Sequence, residues 1–196
     1  NYFWSYKPGT LMYLRDTGGD EDFHLFAVDV ESAQARDLTP FPKTTAQVIR
    51  ISHRRTESIL VTMNDRDPQW HDLYEVNLSN GSRTLVEQNN DRLIGHLYLA
   101  DADYQLHFAA RSRADGGMDL LRRVDNDWAL RDGIPFEDVM NTTPISLTED
   151  GTTLYMIDSR ERNTAALYAI DTTSGKKTLV HQDPRADVGG SLTDPR

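Results

Sequence analysis

The chain has 196 residues, no cysteine, and 31 acidic against 21 basic side chains, for a formal charge of −10. No basic cluster is longer than Arg54-Arg55, so a phosphate backbone would be repelled overall and no nucleic-acid partner is expected. Disulfide stapling and thiol chemistry are excluded. The longest apolar run, around 59–63, is far too short for a membrane span.

In chain order, Tyr2-Phe3-Trp4-Ser5-Tyr6 is aromatic but too short to read as a convincing first strand. A strand is predicted at 11–15. It is followed by the acidic loop Asp16-Thr17-Gly18-Gly19-Asp20-Glu21-Asp22, a second strand over 24–29 and a turn at Ser32-Ala33. The pattern then returns: inner strand 46–52, strand 59–63, loop 64–71, strand 72–77, turn Asn80-Gly81 and outer strand 83–86. The third pass predicts an inner strand at 94–99, a strand at 106–110, loop 111–117, a strand from Leu120 and a shortened turn at Asp125-Asn126-Asp127. The fourth predicts 145–147, 154–157, loop 158–164, strand 166–171, turn Ser174-Gly175 and outer strand 177–180. The tail, 184–196, is expected either to start a further strand or to be disordered.

Leu25, Leu73, Leu120 and Leu167 open the third strand of each pass, at steps of 48, 47 and 47 residues. Large apolar residues alternate with small or polar ones after each leucine, which is the period of a strand. Glycine and asparagine at the short turns supply the positive φ that hairpins need. An all-β propeller with about four four-stranded blades explains this spacing. A sandwich has no reason to repeat one leucine at a constant interval, and no stretch holds the i, i+3, i+4 face of a helical solenoid. The expected blades are 1–43, 44–90, 91–135 and 136–183.

No G-x-S-x-G elbow, phosphate-binding loop or H-E-x-x-H zinc pair occurs. His24, His53, His71, His96, His107 and His181 lack metal-ligand spacing, and Asp20-Glu21-Asp22 lacks the regular oxygen spacing of a calcium loop. No metal and no cofactor are expected. The distinctive chemistry lies in the four loops between second and third strands, all expected on one face of the scaffold. The candidate recognition or domain-facing residues there are Asp16, Asp20, Glu21, Asp22, Arg66, Asp67, Trp70, His71, Arg111, Arg113, Arg160 and Arg162.

The stretch Leu14-Arg15-Asp16-Thr17-Gly18-Gly19-Asp20-Glu21-Asp22-Phe23-His24-Leu25-Phe26, with Arg36-Asp37-Leu38-Thr39-Pro40 after it, resembles the N-terminal propeller of bacterial serine peptidases of the prolyl oligopeptidase family. That family includes acylaminoacyl and dipeptidyl aminopeptidases. Asn64-Asp65-Arg66-Asp67-Pro68-Gln69-Trp70-His71-Asp72-Leu73-Tyr74 and the stretch from Leu147 to Asp171 carry the same resemblance. The more generic motifs, S-x-D-G-x-x-L-Y and L-Y-x-x-D-x-x-x-G, also occur in Tol-system propellers.

The resemblance implies a parent with a seven- or eight-bladed propeller and a C-terminal α/β-hydrolase domain bearing Ser, Asp and His. The propeller would cover that site and admit only short peptides or flexible ends. No nucleophile motif is present in this chain, so no catalytic position is carried over and this chain alone is not expected to hydrolyse peptides. Two alternatives stay open: a stand-alone protein-binding propeller of the Tol-system kind, and an enzyme with its site in the propeller channel. Beginning with Asn1 rather than Met, the chain reads as trimmed, which leaves bacterial cytoplasm and periplasm both open for a soluble protein.

Four blades of a larger ring would form an open arc with uncovered apolar faces near 2–6 and after 183. A homodimer or higher homo-oligomer that buries these faces, two arcs completing an eight-bladed ring, is the expected state of the fragment. Leu73 and Leu167 are expected to be buried.

Overall fold

The structure is a computed structural model that describes residues 2–189. Every regular element except one 3₁₀ turn at Phe136–Asp138 is a strand, and the strands form four separate four-stranded antiparallel sheets. The first sheet holds β1 (Tyr2–Trp4), β2 (Thr10–Arg15), β3 (His24–Asp29) and β4 (Gln34–Asp37). The second holds β5 (Ala46–Arg50), β6 (Ser58–Asp67), β7 (Trp70–Asn77) and β8 (Arg83–Glu87). The third holds β9 (Leu99–Ala100), β10 (Leu106–Ser112), β11 (Met118–Val124) and β12 (Asp127–Ile134), and the fourth β13 (Thr143–Leu147), β14 (Thr153–Asp158), β15 (Ala166–Asp171) and β16 (Lys177–His181). In each, spatial order follows chain order, the up-and-down blade of a propeller. The all-β propeller expectation holds.

The chain divides into two compact units. One contains the first two sheets together with Ala102–Tyr104, the other Leu99–Asp101 and the last two sheets. The core of the first unit joins Met12, Leu25, Ala27 and Leu38 of the first sheet and its exit to Ala46, Ile59, Val61, Met63, Tyr74 and Val76 of the second. Val48, Leu14 and Phe3 pack at its margin. Tyr104 is tied to the same unit, its hydroxyl donating to the Ser58 carbonyl at 2.9 Å. Burial and a nearby carboxylate, Glu75, raise its pKa.

The short outer turns are built the same way in three sheets. An Asp or Asn ends the third strand and folds its side chain over the turn. Asp29 Oδ1 accepts the Ser32 N–H at 2.8 Å, Asn77 Oδ1 the Ser79 N–H at 2.9 Å, and Asp171 Oδ1 the Ser174 N–H at 2.6 Å. The residue that returns the chain has positive φ: Ala33 at 55°, Gly81 at 73° and Gly175 at 75°. Glycine meets that requirement without a Cβ penalty, while Ala33 carries the strain. The third sheet ends its third strand in Val124, and Asp125-Asn126 alone make the turn, with Asp125 at φ 53°.

Four local expectations are corrected. Tyr2–Trp4 is a real strand, paired with β2 through Tyr2↔Tyr13 and Trp4↔Leu11. The strand expected at 94–99 is instead Leu99–Ala100. The preceding residues are drawn into turns, with both Asn89–Leu93 hydrogen bonds at 2.8 Å and the Leu97 N–H on the Ile94 carbonyl at 2.9 Å. Leu25, Leu73 and Leu120 are buried, but Leu167 is only half-buried, because no described strand follows its sheet in the chain. Of the tail, 184–189 forms no strand; it is tied back by the Val188 N–H on the Ala165 carbonyl at 3.0 Å and the Ala165 N–H on Asp187 Oδ1 at 2.6 Å. Residues 190–196 lie outside the described residues.

Candidate functional site

The connections between second and third strands carry seven of the twelve candidate residues, while Arg66, Asp67, Trp70, His71 and Arg111 lie in the flanking strands β6, β7 and β10. The first, 16–23, is shaped by its own acid: Asp20 Oδ1 accepts the Thr17 N–H at 3.1 Å and the Asp22 N–H at 3.2 Å, which lets Glu21 take φ 62°. The Glu21 carbonyl then receives the Thr45 hydroxyl at 3.1 Å. Among the described residues no ion pair engages the carboxylates of Asp16, Glu21 or Asp22, so this loop presents negative charge to solvent.

The second connection is not the open loop expected over 64–71. β6 runs on to Asp67 and β7 starts at Trp70, making a bulged two-stranded arm with Pro68-Gln69 at its tip. Its register slips between Met63 and Asp67. Asn64 holds the base, accepting the Thr45 N–H at 2.7 Å and donating to the Pro68 carbonyl at 3.3 Å, and Asp67 accepts the Gln69 N–H at 2.9 Å at the tip. Arg66 grips Asp72 with two nitrogens at 2.6 and 2.7 Å. Asp72 is buried and also accepts the Asn89 N–H at 2.8 Å, so the arm is fixed to the chain leaving its sheet.

His71 sits where the arm meets that exit. A Cβ on Gly95 would lie 2.8 Å from the His71 Cβ, so only glycine permits the approach. Burial lowers the His71 pKa, opposed by its bond to the Thr45 backbone, and Nε2 is buried with no partner. Trp70 is half-buried beside it.

In the second unit the pattern repeats with other partners. Arg111 pairs with Asp119 at 3.0 Å across β10 and β11. Arg113 closes the 113–117 turn: its N–H donates to the Gly117 carbonyl at 2.8 Å and its Nε to Asp115 at 3.0 Å. That bond from Arg113 pulls the Asp115 pKa down to about 2. Arg160 spans two carboxylates, with Asp132 at 2.9 and 3.0 Å and Asp158 at 2.7 and 3.0 Å, and it reaches the Gly133 carbonyl at 3.2 Å. Lys177 is a further donor to Asp158. Burial alone would raise the Asp158 pKa, but the bonds from Arg160 and Lys177 reverse that and hold it well below the usual range. Arg162 donates to the Thr164 carbonyl and the Tyr168 hydroxyl, both at 3.0 Å.

The loops are therefore braced rather than floppy, and four of their arginines, Arg66, Arg111, Arg113 and Arg160, are neutralised by carboxylates of their own unit. The bracing partners Asp72, Asn89, Asp119, Asp132 and Asp158 were absent from the sequence-derived set. Asp72 and Asp119, each directly before a repeat leucine, were the available signal.

Nothing among the described residues assembles an acyl-transfer centre. Among the described residues His24 pairs with Asp37 at 2.7 Å and His107 with Asp101 at 2.9 Å, and neither ring has a hydroxyl bonded to its other nitrogen. No cluster of three His, Asp or Glu side chains with metal-binding geometry occurs among the described residues, and no helix there is long and apolar enough to cross a membrane.

No family model matches the chain. It is 63% identical over all 196 residues to dipeptidyl aminopeptidase BIII of Pseudoxanthomonas mexicana, of which it spans 28%. A puromycin-hydrolyzing peptidase of Mycobacterium tuberculosis shares the fold over 91% of this chain and 28% of its own, with a TM-score of 0.60 and 18% identity. TolB from Acinetobacter baumannii shares it over 88% of this chain and 41% of its own, with a TM-score of 0.55 and 13% identity. The chain thus shares the β-propeller fold with these solved structures and is 63% identical to a segment that makes up 28% of a dipeptidyl aminopeptidase.

Proposed function

We propose that this chain is the non-catalytic propeller portion of a dipeptidyl aminopeptidase-like serine peptidase, and that it gates peptide access to a C-terminal α/β-hydrolase domain. The 63% identity over the whole of this chain to a segment of such an enzyme carries the reading. The site fits the role. A sieve needs loops of fixed shape rather than reactive groups, and the Arg66–Asp72 and Arg160–Asp158–Asp132 clamps supply fixed shape. The blades are proposed to divide at 1–43, 44–90, 91–135 and 136–183.

The test is made in the full-length peptidase. Arg66→Ala, Trp70→Ala and His71→Ala should change kcat/KM for long peptides more than for dipeptidyl chromogenic substrates. Unchanged kinetics for both classes across the three variants would reject the gating role. A Tol-type binding module is the second reading, favoured by the TolB likeness. An open reading frame that continues into a G-x-S-x-G elbow decides for the peptidase.

A further inference from the structure

His71 joins the 64–71 arm to two other segments of its unit. A Cβ on Gly95 would stand 2.8 Å from the His71 Cβ, 2.9 Å from Cγ and 3.2 Å from Nδ1. The contact is made by the root of the side chain, so a rotamer change cannot undo it while the arm stays in place. On another side the ring bonds the Thr45 backbone. Nε2 is buried and meets no partner.

This position suits one protonation state. In a neutral imidazole one nitrogen donates and the other carries only a lone pair, which is all that Nε2 is asked to bury here. Protonation puts an N–H at Nε2 with no acceptor and spreads a positive charge over the ring. The neighbouring charges do not offset that cost. Asp72, next to it on β7, favours the charged ring, but its carboxylate is already gripped by Arg66 of β6 and by the Asn89 N–H. Of the other charges on β6, Asp65 is paired with Arg83 and Asp67 holds the tip of the arm. His96, on the Gly95 turn, opposes protonation. Lys43, on the segment that brings Thr45, is exposed, and Asn89 meets only the His71 carbonyl, at 3.2 Å.

We propose that His71 is a proton-operated latch: the neutral ring seats the 64–71 arm against Thr45 and the Gly95 turn, and protonation unseats it. The Arg66–Asp72 clamp joins the two strands of the arm, so the arm keeps its own shape when the seat is lost. Burial lowers the His71 pKa from 6.5 in the seated arm. Seating is therefore fully favoured above 6.5 and is lost as pH falls below it. The latch belongs to this chain and does not rest on the gating role.

Amide hydrogen exchange, read by NMR on the whole chain, tests the latch. The probe is Thr45, whose N–H is held by Asn64 of the arm at 2.7 Å. Its protection factor should fall several-fold between about pH 7.5 and 5.5, by at most roughly tenfold per pH unit, the limit for one proton. The His71 ring signals should titrate over the same range with a midpoint below 6.5. His71→Gln should remove the pH dependence while His96 still titrates. Gly95→Ala, which pushes the arm off its seat, should show the low protection already at neutral pH. Protection at Thr45 that stays constant while the His71 ring titrates overturns the proposal. So does a ring midpoint at or above 6.5, or a pH dependence that survives His71→Gln. Circular dichroism follows the fold, and a loss of strand signal on acidification that is alike in parent and His71→Gln also overturns it. If His71→Gln does not fold, Gly95→Ala and the ring titration decide.

Discussion

The first and second sheets are built on one register, yet β6 is buried on both faces while β2 is buried on one. In β6, Ile59 through Met63 form an unbroken buried run; in β2, Thr10 and Met12 are buried and Leu11 and Tyr13 are not. The sequences do not differ in kind, since both strands carry large apolar residues toward both sides. The difference teaches that apolar content reports what a strand is made to contact, and burial reports what it does contact.

The comparison is broken most severely at the residue before the repeat leucine. Asp72 in the second sheet is buried and gripped by Arg66, whereas His24 at the matching place in the first is half-exposed beside Asp37. Asp72→Ala should give the largest drop in the urea midpoint, because it removes a buried carboxylate that anchors both Arg66 and the Asn89 backbone. His24→Ala should cost less than about 1 kcal/mol. Equal costs would show that the two positions are not used differently.

Strand interiors give the next effect. Leu60→Ala should cost about 2–5 kcal/mol as a fully buried leucine, and Leu11→Ala distinctly less, with the gap read from chemical denaturation midpoints. The same contrast separates Leu73 from the half-buried Leu167.

Asp158 extends the comparison to pH. Its folded pKa lies below the ordinary 3.8, so its clamp with Arg160 and Lys177 contributes fully above that value and is lost as pH falls below it. Asp158→Asn should therefore be less stable at neutral pH and lose less stability on acidification than the parent. Parallel stability–pH curves would contradict the clamp. Smallest of all, and alike in both sheets, Asp29→Ala and Asn77→Ala should each lower the denaturation midpoint only slightly, through loss of an exposed turn hydrogen bond.

The fold was legible where one residue type recurs at one place. The leucine spacing marks the third strands, and Asn80-Gly81 and Ser174-Gly175 mark two of the outer turns. What stayed hidden depends on partners far apart in sequence. Arg160 reads as a free loop cation until Asp132, from β12, is brought to it. The arm at 64–71 reads as a loop because its register slip follows from Asn64 bonding to Thr45 and Pro68, which no period reveals. Tyr2–Trp4 carries too little alternation in three residues to signal a strand, although pairing with β2 suffices to make it one.

The central claim is that this chain supplies shape without chemistry. Incubating the purified chain with chromogenic dipeptidyl and aminoacyl substrates tests it most directly. The account predicts no turnover above the buffer rate, because no activated nucleophile with base and oxyanion site is assembled among the described residues. Hydrolysis that co-purifies with the chain and is abolished by a serine-directed inhibitor would contradict it.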